Sequence, residues 1–130
     1  AYACAARYAG TYVVTLSANH ILFKQPIFVG EMVNFYANVN HVGSSSMEVG
    51  IKVVAENLTS GERRHTNTCY FTMVSVDDQG KPRTLPPLEL RDDLERYRSE
   101  EAKLRKKHRL LLQEQQAEHT KRIRTGGDTD

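Results

Sequence analysis

Tryptophan is absent from this 130-residue chain, cysteine occurs twice, and no apolar run approaches the roughly 18 residues that a membrane-spanning helix needs. No charged-then-apolar signal segment opens the sequence, so a cytoplasmic protein is the expectation. Cys4 and Cys69 lie outside any C-x-x-C spacing, which predicts buried free thiols and argues against a metal or redox pair. His20, His41, His65, His108 and His119 are scattered without an H-E-x-x-H pair, so no metal site is expected. Ser44, Ser45 and Ser46 lack the G-x-S-x-G frame of a nucleophile elbow and read as turn residues. None of the acids Glu31, Glu48, Glu56, Glu62, Asp77 and Asp78 sits in an apolar surround that would raise its pKa, so each reads as a solvated surface acid. The net charge of +2 is too small to imply a nucleic-acid partner.

The composition that remains is ordinary: 39% hydrophobic, 26% charged, mean hydropathy −0.55, enough for one domain with a single core. Charge is unevenly spread. Residues 1–87 hold 7 Lys/Arg and 6 Asp/Glu, whereas residues 88–130 hold 11 and 10, the mixed density of a solvated helix.

The opening AYACAARYAG is rich in alanine and ends in glycine, so it reads as the last turns of a helix whose start and cap are not visible. In the β-branched run that follows, Tyr12, Val14, Leu16 and Ala18 share one strand face and Val13, Thr15, Ser17 and Asn19 the other. Beyond His20 the parity changes to Ile21 and Phe23, which predicts a bulge near Asn19 and His20. MVNFYANVNHV and MEVGIKVVAEN alternate cleanly on either side of GSSS and predict an antiparallel hairpin. LTSGERR is a second turn with Gly61 left-handed, and RHTNTCYFTMVSVD is a long strand, apolar on both faces, suited to the middle of a sheet. Pro82, Pro86 and Pro87 make a non-helical strap.

From about Asp92 to Ile123 the chain reads as helical, with Leu90, Leu94, Tyr97, Leu104 and Leu111 forming a thin apolar stripe. The heptad spacing 97, 104, 111 ends at Glu118, so this helix suits a surface or a weak pairing. The fold class is therefore α+β: residues 1–90 a sheet domain, 91–124 a charged helix, and 125–130 a disordered tail. With only the tail of a helix to cover it, the sheet is expected to lack cover. Arg63, Arg64, Lys81 and Arg83 lie near strand ends, where cations could hold phosphates of a nucleotide tail or remain solvated.

Several strings in order resemble the hot-dog fold acyl-coenzyme A thioesterases of the cytosolic acyl-CoA hydrolase branch. They are Val13-Val14-Thr15 followed by Phe23, Pro26 and Val29-Gly30-Glu31, then Gly43 with Ser45-Ser46-Met47, then Phe71, Val74, Asp77, Gly80, Pro82 and Pro86. The resemblance covers about residues 1–100. It implies an antiparallel sheet wrapped on a central helix, a homodimer or a hexamer built as a trimer of dimers, acyl-CoA as substrate, and hydrolysis to a free fatty acid and coenzyme A without a cofactor. It also implies a catalytic carboxylate on the central helix, which aligns a few residues ahead of Ala1, with a glycine pair and an asparagine further upstream. No catalytic residue is thus expected within these 130 residues, and little or no hydrolase activity.

The same resemblance assigns the ligand-holding half to this chain. It implies Ser45 and Ser46 beside pantetheine and nucleotide, Arg63, Arg64 and Lys81 toward phosphates, and Asn19 and His20 at the thioester or acyl pocket. Asn19, where the family often has an acid, and Leu22, where it has a polar residue, are departures that bear on acyl-chain preference. Two rival readings stand beside this one: a non-catalytic CoA-binding or assembly subunit that works through its C-terminal helix, and another hot-dog acyl-thioester enzyme such as a hydratase.

Overall fold

The computed structural model describes residues 1–18 and 23–126. In chain order these form α1 (Tyr2–Ala9), β1 (Tyr12–Ala18), β2 (Met32–Val42), β3 (Ser46–Glu56), β4 (Arg63–Val76) and α2 (Asp93–Gly126). They fall into two compact units, Ala1–Leu90 and Arg91–Asp130.

Gly10 closes α1 in the left-handed region (φ 66°), its N–H donating to the Ala6 carbonyl at 2.9 Å. Without a Cβ it adopts that conformation at little cost, and the chain turns directly into β1. The four strands form one antiparallel sheet in the order β1-β4-β3-β2, so the two central strands, β3 and β4, are also the two richest in buried residues. On one face, Val13, Met47, Val49, Ile51, Val53, Cys69 and Met73 meet Ala5 of α1 in a single core, which Leu85 from the strap completes. Cover is partial, as expected: Phe35, whose β3 partner Val53 is a core residue, is 69% exposed.

Three ladder irregularities leave Leu16, Asn40 and Thr66 as extra residues. The first corrects the sequence reading. Because Leu16 is inserted, Ser17 pairs with Thr72 and joins the face of Tyr12 and Val14, so the bulge lies three to four residues earlier than the parity change had suggested. Asn19 and His20, where the bulge had been expected, lie outside the described residues. On the same outer face, Asn40 Nδ2 donates to Glu48 Oε1 at 3.2 Å, and Glu48 is buried, so it is not the solvated acid its position in the sequence suggested. Gly50 makes this possible, since a Cβ there would collide with the Asn40 amide.

At the start of α2, Asp92 accepts the Glu95 N–H at 2.8 Å while the Glu95 carboxylate accepts the Arg91 N–H at 2.7 Å, a reciprocal arrangement close to a capping box. The helix continues to Gly126, so Thr125 and Gly126 are helical where a disordered tail had been expected. Residues 127–130 lie outside the described part.

Truncating Met73, which is fully buried, to alanine should cost about 2–5 kcal/mol, because the cavity lies between α1 and the sheet centre. Leu16→Ala, at the exposed bulge, should cost less than about 1 kcal/mol. Urea unfolding midpoints for the two variants check the contrast.

Candidate functional site

The β2–β3 hairpin is held by its backbone. The Gly43 N–H donates to the Ser46 carbonyl, the Ser75 N–H to the Ser45 carbonyl, and the Leu85 N–H to the Ser44 carbonyl, each at 2.8 Å. Among the described residues no partner holds the Ser45 or Ser46 hydroxyl, and both residues are half-buried. A rigid loop with unpartnered hydroxyls can hydrogen-bond an extended polar ligand without first breaking bonds of its own.

The strap builds the rest of this corner. Asp77 accepts N–H groups from Gln79 and Lys81 at 2.9 Å, folding the turn back so that Pro82 bridges Val76. Lys81 and Arg83 are left exposed on either side of Pro82. The Arg83 N–H reaches the Ser75 carbonyl at 2.8 Å, and the Tyr8 hydroxyl of α1 donates to the Pro86 carbonyl at 2.9 Å. Since Ser46 pairs with Val74, Lys81 stands at the same end of the sheet as Ser45 and Ser46.

Arg63 and Arg64 stand at the other end. Arg63 pairs with Glu56, and the extended chain from there to Val74 spans roughly 35 Å, so one protomer holds two separate groups of the residues singled out in the sequence. Arg63 donates to the Tyr36 hydroxyl at 2.6 Å. Arg64 donates to Glu31 Oε1 at 2.9 Å and to the Pro26 carbonyl at 3.0 Å, and its guanidinium lies 5.4 Å from the Phe28 ring centroid. Glu31 also accepts the Phe28 N–H at 2.8 Å. The Arg64 hydrogen bond first, and the Phe28 N–H second, hold the Glu31 carboxyl below its ordinary pKa. Glu31 is therefore the clamp of the 26–31 loop, which corrects its reading as a solvated acid. Only the pairing of the loop with β4 could have revealed this, because the two residues are 33 positions apart.

Asn19 and His20 lie outside the described residues. Both cysteines are free, and burial raises the thiol pKa of Cys4 and of Cys69. Among the described residues no group of three or more His, Cys, Asp and Glu could hold a metal ion, and no helix is long and apolar enough to cross a membrane.

Because the folded-state pKa of Glu31 is depressed, its contribution to stability is present above the ordinary carboxylate value near 4.5 and is lost as pH falls through the lower folded value. Glu31→Gln should thus lower the melting temperature at pH 7, and the gap to the unchanged protein should close as pH falls below about 4. Melting curves between pH 3 and pH 7 test this; a gap independent of pH would show that the charge is not what stabilises the loop.

Residues 1–62 match the Thioesterase superfamily. Protein VdlD of Helicobacter pylori (strain ATCC 700392 / 26695) is 47% identical over 109 residues, which make up 84% of this chain and 62% of that protein. The chain thus spans less than two thirds of that relative's length. A crystal structure of an apo-hexameric acyl-CoA thioesterase superposes with a TM-score of 0.77 at 38% identity, covering 81% of this chain and 67% of the other. An acyl-CoA hydrolase from Staphylococcus aureus, solved in complex with butyryl coenzyme A, coenzyme A and coenzyme A disulfide, gives a TM-score of 0.77 at 31% identity, covering 88% of this chain and 72% of the other. With the alanine-rich helix lying on a four-stranded antiparallel sheet, these likenesses establish that the chain belongs to the thioesterase superfamily and has the hot-dog fold of its acyl-CoA thioester hydrolases.

Proposed function

We propose that the whole protein is an acyl-CoA thioester hydrolase, converting acyl-CoA and water to a free fatty acid and coenzyme A, and that these 130 residues supply its ligand-holding half. The observation that carries this reading is the braced 43–46 hairpin, with the Ser45 and Ser46 hydroxyls unpartnered among the described residues, in a chain 31% identical to a hydrolase solved with coenzyme A. Ser45 and Ser46 hydrogen-bond the pantetheine and nucleotide portion, and Lys81, at the same end, meets phosphate charge. Arg63 and Arg64, at the far end, form a separate group whose contact with phosphate requires a neighbouring copy.

The catalytic carboxylate lies ahead of Ala1 on the same helix as Tyr2–Ala9, where it activates water or attacks the thioester. The protein works as a homodimer or a trimer of dimers, a reading supported by the hexameric thioesterase that it resembles. The two free thiols of these 130 residues suit the reducing cytoplasm, and fatty acid metabolism is the process the protein serves.

Release of the coenzyme A thiol, followed with a thiol reagent, tests the assignment. The protein from the full reading frame should turn over acyl-CoA, and changing the acid ahead of Ala1 to its amide should lower kcat about 100- to 10,000-fold. The 130-residue chain alone should show almost no turnover; measurable hydrolysis by it would refute the placement of the carboxylate. Coenzyme A binding without turnover by the full protein would support the non-catalytic subunit instead. Ser45→Ala with Ser46→Ala should raise the Kd for coenzyme A roughly 5- to 30-fold, read by calorimetry.

A further inference from the structure

Exposed apolar residues of α2 include Leu94, Tyr97, Leu104 and Leu111 on one stripe, with Leu110 on another side of the helix. Ser99 and Ala102 are buried, whereas Leu94, Tyr97, Leu104 and Leu111 are all about half exposed or more. At about 100° of rotation per residue the four share one stripe, on roughly the opposite side of the helix from Ser99 and Ala102. Charge along α2 comes in blocks. Residues 92–101 hold Asp92, Asp93, Glu95, Glu100 and Glu101 against Arg96 and Arg98, whereas residues 102–110 hold Lys103, Arg105, Lys106, Lys107 and Arg109 with no acid.

From the stripe and the blocks together, we propose that α2 pairs with α2 of a second copy of this chain in antiparallel register, Leu94 of one beside Leu111 of the other. Parallel pairing would set acid on acid and base on base. In the antiparallel register, residues 94–101 of each copy face residues 104–111 of the other, so the acidic block of each meets the basic block of its partner twice over. The same register puts Tyr97 beside His108 and Leu104 beside Glu101. Polar residues within an apolar seam weaken the pairing and hold it to one register. At about 1.5 Å per residue the paired segment is roughly 27 Å long, shorter than α2. This pairing does not depend on the hydrolase reading, because no residue of the ligand-holding corner takes part.

Leu94→Cys and Leu111→Cys, each made in the full protein and mixed under mild oxidation, test the register. The mixture should give a covalent dimer joining position 94 to position 111, while each variant alone should cross-link no more than the unchanged protein. Homodimers of either variant above that level would overturn the antiparallel arrangement, and absence of any covalent dimer in the mixture would overturn the pairing. Leu104→Glu, at an exposed position, added to both cysteine variants should cut the 94-to-111 cross-link at least tenfold with the melting temperature kept. Undiminished cross-linking would also contradict the proposal.

Discussion

The contact on which the rest of the structure depends is the close approach of α1 to the sheet. Alanine is what permits it: Ala5 is fully buried among Met47, Val49 and Met73, and Ala1, Ala6 and Ala9 pack beside it, so a short helix lies across all four strands. That position brings the last turn of the helix to the strap. Tyr8 reaches Pro86, Thr11 meets Ser75 through their hydroxyls at 2.9 Å, and Leu85 enters the core. The strap, pinned there, binds the backbone of Ser44, and Ser75 binds that of Ser45. The rigidity of the hairpin thus traces back to small side chains about forty residues earlier in the chain.

The two ends of the sheet are built on different physics. At the hairpin end, backbone hydrogen bonds hold the loop, leaving hydroxyls and the exposed cations Lys81 and Arg83 available to a ligand. At the other end, charge is consumed internally: Arg64 ties together Glu31, Pro26 and the Phe28 ring, and Arg63 binds Tyr36. A guanidinium with several internal partners must give up part of that network to take a phosphate, whereas a solvated lysine need not. On the proposed reading, the chemistry favours the Lys81 end for the nucleotide within one protomer.

Period-two alternation made β2, β3 and β4 readable in the sequence, and Gly10 and Gly61 marked their turns because positive φ (66° and 75°) favours glycine. What the alternation could not carry was an inserted residue. A bulge at Leu16 changes which side chains share a face, yet Leu16 itself is an unremarkable strand residue, so the signal was read several positions late. The burial of Glu48 likewise depends on the bulged Asn40 and on the missing Cβ of Gly50, which come together only once the register is set. For the candidate site, the 43–46 turn was legible from its string, but the separation of Arg63 and Arg64 from Ser45 follows from the length of β4 and the pairing of its two ends.

The central claim is that this chain holds coenzyme A at the 43–46 hairpin without the group that does the chemistry. Amide chemical shifts of the 130-residue chain, recorded during titration with coenzyme A, test it most directly. The account predicts saturable shifts at residues 43–46 and 81–83, with residues 57–64 unmoved at the same concentrations. Shifts confined to residues 57–64, or none at saturating coenzyme A in the folded chain, would contradict it.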